Sequence, residues 1–229
     1  MNNLAFSNSG ILDIEKFDMK NFFYSDSFIF KKLKIGETGV TIFESVFAIC
    51  LLVIFSPVLL LVAASIKLSM GGSVFYSQTR VGKNGAKFSI YKFRTMIENA
   101  EEKTGPMLAT KEDPRITRLG RILRASHLDE FPQLFNVLCG EMSFIGPRPE
   151  RPVFVEIYEK EVGLYTRRRE VRPGITGLAQ ICLPYDATAS EKIQYDIFYI
   201  DQRESILFNL LISYYTAMKM VTFFKLIKN

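Results

Sequence analysis

Two adjacent acids, Asp129 and Glu130, stand inside "RASHLDEFPQLFNVLCG" (residues 124–140), directly after a run crowded with arginine. An ionised aspartate can act as a nucleophile, and a neighbouring carboxylate can hold a hard cation such as Mg²⁺. A plainer role is equally visible. Leu134, Phe135, Val137 and Leu138 suggest a helix closing at Gly140, and Pro132 is tolerated only in the first turn of such a helix. That predicts Asp129 near the N-cap and Glu130 in the first turn, complementing the helix dipole. Reacting centre and helix cap both stand open on the local sequence.

Cations surround this pair along the chain. Arg115, Arg118, Arg121 and Arg124 recur every third residue, so a helix gathers several on one side, with Ile122 and Leu123 facing elsewhere. Such a stripe suits anionic lipid or a diphosphate, or simply a solvated face. In "SFIGPRPE", Arg148 lies between Pro147 and Pro149, whose fixed backbone presents the guanidinium with little freedom. That suits bidentate phosphate recognition. Lys92 and Arg94 in "YKFRTM" are spaced to share one face of a strand. Arg172 opens an Arg-Pro-Gly turn after Arg167, Arg168 and Arg169, with Gly177 close by. The spacings of a Walker A loop or a dinucleotide fingerprint are absent.

The elements that must position these residues can be read in part. Two β-prone runs flank Asn84-Gly85, a hairpin signal because both turn residues tolerate positive φ. Thr41–Leu68 is an apolar segment whose stretch from Ser45 to Ile66 carries no charge, and roughly 20 such residues span a bilayer. Pro57 removes a helical hydrogen bond near its middle, and the Ser56 hydroxyl is placed to serve the freed carbonyl, which predicts a bend. Lys31, Lys32 and Lys34 precede the segment, and Lys67, Arg80, Lys83 and Lys87 follow it. Both flanks thus carry the cytoplasmic signature. A segment that enters and leaves by one face and a kinked spanning helix remain the two topologies. In the tail, Ile206, Leu207, Leu210, Leu211, Tyr214, Met218 and Val221 predict an amphipathic helix, packed on the domain or lying at an interface.

The chain of 229 residues, with net charge +5 and 48% hydrophobic residues, is basic and greasy. That suggests membrane surface, nucleic acid or phosphate-bearing substrates. Three scattered cysteines, Cys50, Cys139 and Cys182, argue for a reducing compartment and against a disulfide framework or zinc site. No positive n-region before a short apolar core marks a secretory signal.

Read together, these motifs resemble the bacterial sugar transferases, the monotopic phosphoglycosyl transferases. The residues that carry the resemblance are "FSPVLLLVAASIKL", "VFYSQTRVGKNGAKFSIYKFRTM", "DPRITRLGRILRASHLDEFPQLFNVLCGEMSFIGPRPE", "EVRPGITGLAQ" and "YDIFYI". They cover the chain from about residue 37 onward. The resemblance implies transfer of a sugar phosphate from a UDP-sugar to a polyprenyl phosphate, usually undecaprenyl phosphate, with release of UMP. It implies that Asp129 is the nucleophile, forming a covalent phosphosugar-aspartate, and that Glu130 assists, with Asp129 and Glu130 as the Mg²⁺ site. It also implies a re-entrant helix bent at Ser56-Pro57 and a place on the cytoplasmic face of the bacterial inner membrane. Glu44 departs from the family's usual Asp, His127 from a hydroxyl residue and Leu178 from an aromatic.

Attack by a carboxylate on a diphosphate brings anions together, so the site needs dense positive charge. Lys92, Arg94, Arg148 and Arg172 are the candidates for phosphate contact. The expected fold is α+β and mainly helical. It comprises an N-terminal extension (1–36), a re-entrant helix-break-helix (37–70) and a catalytic domain (71–229) with a short β-hairpin and amphipathic interface helices. Membrane lipid is an expected partner and nucleic acid is not, for want of a recognised motif; a homo-oligomer stays open. A catalytically silent membrane scaffold of the same fold is the alternative.

Overall fold

The structure is a computed structural model that describes residues 36–102, 105–107, 113–184 and 186–227, without the side chains of Glu37 and residues 220–227. The N-terminal extension with Lys31, Lys32 and Lys34 lies outside the described residues, apart from Gly36, as does the side chain of Val221.

The apolar segment forms helix α1, Glu37–Met70. The expected helix-break-helix is one helix in its backbone hydrogen bonding. Pro57 withholds the N–H that would serve the Val53 carbonyl, and the Ser56 hydroxyl donates to that carbonyl at 2.8 Å. The Val53 carbonyl is satisfied locally, so the helix continues through the proline. A single stripe of α1 faces the rest of the molecule. Glu44, Ala48, Val62 and Ile66 are buried, and Leu52, Phe55 and Leu59 fill the same line between them. The stripe keeps its three- and four-residue spacing across Pro57, so both halves dock through one face. The opposite face, including Phe43, Val46, Ile49, Val53, Leu60 and Leu61, is exposed. This helix is long and apolar enough to cross a membrane.

A charge anchors that stripe. The Glu44 carboxylate accepts from the Ser143 hydroxyl, from the Phe144 N–H at 2.9 Å and from Arg172 Nη2 at 2.9 Å. Burying a carboxylate is costly unless its oxygens are paired and hydrogen-bonded, and here both are.

Strands β1 (Phe75–Val81) and β2 (Lys87–Phe93) form the antiparallel hairpin, with Phe75 opposite Phe93 and Val81 opposite Lys87. Asn84 and Gly85 both take positive φ, 57° and 77°. Along β2, Phe88 and Ile90 face inward and Lys92 follows them on the same face. Arg118, Arg121 and Arg124 of the arginine stripe fall on helix α2, Arg118–Ala125, and Arg115 precedes it; Leu123 is buried, while Ile122 is exposed beside Arg118 and Arg121. Helix α3, Gln133–Leu138, packs Leu134 and Val137 with Ala48, Phe88, Ile90 and Met142. Asn136 ties α3 to the hairpin as a neighbouring strand would. Its Oδ1 accepts from Tyr91 N at 3.1 Å and its Nδ2 donates to Ser89 O at 2.7 Å.

The structure adds a second sheet to the expected hairpin. Strands β3 (Ser143–Ile145) and β4 (Gly174–Thr176) pair in parallel. Three-residue strands between Gly and Pro are too short to show alternation. They require glycine: a Cβ on Gly174 would lie 2.1 Å from Gly146 N, and one on Gly146 would lie 2.6 Å from Arg172 O. Helices α4 (Pro152–Glu161), α5 (Leu178–Cys182), α6 (Ala189–Gln202) and α7 (Ile206–Ile227) complete the fold. Ile145, Leu178, Ile181, Phe198, Phe208 and Ile212 form the core between them.

The inward face of α7 differs from the one read in sequence. Phe208, Ile212 and Tyr215 are buried, whereas Leu207, Leu210 and Tyr214 are exposed. Both stripes are apolar, so periodicity cannot tell inside from outside. Asn209 does not interrupt the core either, because its amide donates back to Arg203 O and Ser205 O. The helix is apolar on two sides rather than amphipathic.

Replacing Glu44 by Ala would strand Arg172 and the Phe144 N–H in the interior. Breaking a buried pair in this way costs about 3–5 kcal/mol. We expect a loss of that order in unfolding of the detergent-solubilised protein. A loss below about 1 kcal/mol, typical of an exposed pair, would show that Glu44 does not anchor the helix.

Candidate active site

The acid pair is built by an interrupted chain path. Helix α2 stops at Ala125, and His127 adopts a left-handed conformation (φ 56°) that turns the backbone into a 3-10 turn, Leu128–Glu130. Helix α3 begins only at Gln133, after Pro132. Because Pro132 has no N–H, the segment closes through i→i+3 bonds instead: Glu130 N to His127 O, Phe131 N to Leu128 O and Leu134 N to Phe131 O. The expected placement of Asp129 and Glu130 as cap and first turn of α3 is therefore corrected. They belong to a separate turn upstream, and neither side chain caps α3.

That turn sorts its residues. In 3-10 geometry residues i and i+3 eclipse, so Leu128 and Phe131 share a side, and both pack on α1. Leu128 joins Val62 and Ile66, and the Phe131 ring lies 4.9 Å from that of Phe55. Asp129 and Glu130 are left to project elsewhere, in different directions.

Their environments differ accordingly. Glu130 Oε1 accepts from Lys92 Nζ at 2.6 Å and from Arg148 Nη2 at 2.5 Å, and Arg148 Nη1 lies 3.4 Å from Oε2. Burial works to raise the Glu130 pKa, but Arg148 and Lys92 outweigh it and hold the carboxyl well below the usual range. Burial lowers the Lys92 pKa, with Glu130 opposing. Asp129 is 6% exposed, and its carboxylate makes no hydrogen bond or ion pair among the described residues. Burial and then the charge of Glu130 push its pKa up to about 6, against the pull of Lys92, Arg124 and Arg148. Two adjacent acids are thus driven apart, one locked as an anion and one poised and unbonded.

The predicted cations divide into two sets. Lys92 and Arg148 meet at Glu130. Arg94 and Arg172 are engaged elsewhere. Arg94 donates to the Gly71 carbonyl at the end of α1 and pairs with Glu98 at 2.7 Å, while Arg172 pairs with Glu44. Of the stripe, Arg115 is held bidentately by Asp113, and Arg124 bonds to Thr95 Oγ1 at 2.9 Å while its charge reaches Asp129. Sequence reasoning does not single out Arg124 within its stripe, because a regular repeat of arginines hides the member that turns inward. It also misses Asn136, which carries no motif signal. Among the described residues no three His, Cys, Asp or Glu side chains gather as a metal cage.

A family model described as bacterial sugar transferase matches residues 36–223. The chain belongs to that family. Three relatives illustrate the match. A UDP-N-acetylgalactosamine-undecaprenyl-phosphate N-acetylgalactosaminephosphotransferase of Aeromonas hydrophila is 43% identical over 82% of this chain and 44% of its own length. A UDP-glucose:undecaprenyl-phosphate glucose-1-phosphate transferase of Xanthomonas campestris pv. campestris is 40% identical over 78% of this chain and 38% of its own. The exopolysaccharide production protein ExoY of Sinorhizobium fredii is 38% identical over 80% of this chain and 85% of its own. The chain thus spans less than half the length of the first two relatives and most of the third. The acid pair and its cations all fall within the matched residues.

The raised pKa of Asp129 makes the carboxylate a burden on the fold. Above pH 6 it is ionised whether folded or unfolded, and only the folded state bears the desolvation. Below about pH 4 it is protonated in both and the difference vanishes. A shift from 3.8 to about 6 is worth at most about 3 kcal/mol. We therefore expect Asp129→Asn to unfold at higher temperature than the wild type at pH 7.5, with the advantage shrinking as pH falls from 6 to 4. Equal stability at pH 7.5 would contradict the strained carboxylate.

Proposed function

We propose that this sugar transferase moves a sugar 1-phosphate from a UDP-sugar to a polyprenyl phosphate such as undecaprenyl phosphate, releasing UMP, as an initiating step of polysaccharide or glycoconjugate synthesis. The names of the relatives supply the donor and acceptor classes. The observation that carries the chemistry is the unbonded, desolvated Asp129 beside a Glu130 fixed by two cations. A carboxylate stripped of partners is a stronger nucleophile than one engaged in a salt bridge.

In this reading an Asp129 oxygen attacks the sugar-bearing phosphorus of the donor. The bond from that phosphorus to the bridging oxygen breaks and UMP leaves. Asp129 then carries the phosphosugar as an acyl phosphate. A phosphate oxygen of the polyprenyl acceptor attacks the same phosphorus, the Asp129–phosphorus bond breaks, and a polyprenyl diphosphosugar forms. Soluble donor and lipid acceptor use one site in turn, which gives ping-pong kinetics. Arg148 and Lys92 supply positive charge where phosphate oxygens gather.

The donor set suits Mg²⁺, which commonly takes one or two carboxylates and completes its shell with substrate phosphates and water. Among the described residues Asp129 is unpaired, and Glu130 Oε2 lies 3.4 Å from Arg148 Nη1. These two would hold the ion, which when bound would neutralise diphosphate charge.

We place α1 in the cytoplasmic face of the inner membrane, entering and leaving by that face. Glu44 and Ile66 are 22 residues apart in one helix, about 33 Å, close to the hydrocarbon thickness of about 30 Å. A crossing helix would put them on opposite sides of the bilayer. Yet Glu44 is bonded to Arg172, and Ile66 packs with Phe93 and Leu123, all in the same domain. This supports the one-faced topology and makes bilayer lipid the partner of the exposed stripe.

The deciding measurement is UMP release from a panel of UDP-sugars with Mg²⁺ and undecaprenyl phosphate. We expect lipid-dependent release that Asp129→Asn abolishes. Activity should fall on the acid side as Asp129 is protonated, at a pH that drops as Mg²⁺ is raised because the cation favours the ionised carboxylate. Undiminished release by Asp129→Asn would overturn the covalent mechanism. A folded, membrane-bound wild type inert toward every donor would favour a silent scaffold.

A further inference from the structure

The Pro147-Arg148-Pro149-Glu150 segment presents the guanidinium that meets Glu130, and its backbone is held at every carbonyl. Pro147 O accepts from Gly174 N at 3.0 Å, and Arg148 O from Arg168 Nη2 at 2.5 Å. Pro149 O accepts from Arg80 Nη1 at 3.1 Å, and Glu150 O from Val81 N at 3.0 Å. Two of the four residues are prolines, so the segment has few donors with which to hold itself. Its position depends on what the surrounding elements donate.

The bond to Arg148 itself comes from a built strut. Arg168 sits in a 3-10 turn, Tyr165–Glu170, entered through a left-handed Leu164 (φ 62°). A non-glycine side chain is strained there, so contacts made by the turn itself must hold it in place. Arg168 Nε lies 2.9 Å from Asp196 Oδ2 on α6, its Nη1 donates to the Tyr165 hydroxyl at 2.5 Å, and its guanidinium lies 4.9 Å from the Tyr165 ring. The side chains of Arg168 and Asp196 are 11% and 4% exposed. A planar guanidinium holds its donors in a rigid fork, whereas those of an ammonium rotate on a flexible stem.

We propose that Arg168, braced by Asp196 and Tyr165, is a positioning residue for Arg148. It fixes the backbone of the Pro-Arg-Pro turn so that the Arg148 guanidinium meets Glu130 and faces the donor's phosphates. Through this carbonyl the Arg168–Asp196 pair joins α6 to the site. The second half of the inference rests on the transferase reading; the first does not.

Two experiments separate them. The first needs no substrate. The coupling between Arg148 and Glu130 is measured by thermal unfolding of wild type, Arg148→Lys, Glu130→Gln and the double variant, then again with Arg168→Lys in all four. Arg168→Lys keeps the charge beside Asp196, so the fold is retained, and removes the fork. We expect the Arg148–Glu130 coupling to fall by more than half. Unchanged coupling would overturn the strut.

The second reads UMP release. A small misplacement of a catalytic group costs up to about 100-fold, so Arg168→Lys should lower kcat/KM for the UDP-sugar by about 10- to 100-fold. In the Arg148→Lys background, where a flexible ammonium depends less on its backbone, the same change should cost less than about threefold. Equal losses in both backgrounds would mean that Arg168 acts through general stability, and would overturn the proposal. A wild type without transferase activity would sink the reading of the reaction and leave the coupling measurement to decide the strut.

Discussion

One carboxylate organises the centre of this molecule. Glu130 joins Lys92 on β2 to Arg148 on the Pro-Arg-Pro turn, two segments that share no long strand pairing with the acid turn itself. Two cations brought this close would repel and resist burial, and Lys92 already feels that cost. An anion between them turns the repulsion into a joint. The same anion sits one residue from Asp129 and adds to the burial that raises the Asp129 pKa. The cations of the same contact pull the other way, so the balance at Asp129 is set by burial and Glu130 against Lys92, Arg124 and Arg148.

Much of the scaffold was legible because its signals are local. Asn84 and Gly85 announce the hairpin through residues that accept positive φ, and they do adopt it. The Ser56-Pro57 pair predicts its own repair, and the serine hydroxyl reaches the carbonyl that proline orphans. The helix continues through Pro57 instead of breaking there, since a side-chain bond that restores the carbonyl also lessens the reason to break. The inward face of α7 was illegible. Where Leu207 and Leu210 are as apolar as Phe208 and Ile212, only the surroundings decide which stripe is covered. The parallel β3–β4 pair joins residues about 30 apart in sequence, and no local pattern encodes such a contact.

The candidate site shows the same division. Residue type and proline framing were enough to single out Asp129, Glu130 and Arg148. Spacing alone grouped Lys92 with Arg94, because alternate residues share a strand face. The strand ends at Phe93, however, and Arg94 turns to the Gly71 carbonyl at the end of α1. Arg172 resembles Arg148 in preceding a proline, yet its partner is Glu44, 128 residues away. Long side chains are assigned by whichever polar partner lies within reach, and that is a tertiary fact. Arg124 makes the converse point: helix α2 turns this one member of the arginine repeat toward Thr95.

The acid turn and the apolar helix are two sides of one layer. Leu128 and Phe131 fasten the turn to the middle and second half of α1, while Asp129 and Glu130 leave from its other sides. The exposed stripe of α1 begins on the far side of the same helix, about 10 Å across. If lipid covers that stripe, the carboxylates stand roughly one helix diameter from hydrocarbon, at the depth of headgroup phosphates. A lipid-borne phosphate would then reach Asp129 without leaving its membrane, and a soluble nucleotide sugar would meet the same carboxylate from the aqueous side. Burial of the acid turn against α1 thus serves both demands of the proposed reaction. It removes water from the nucleophile, and it sets the height at which two substrates of opposite solubility can share one carboxylate.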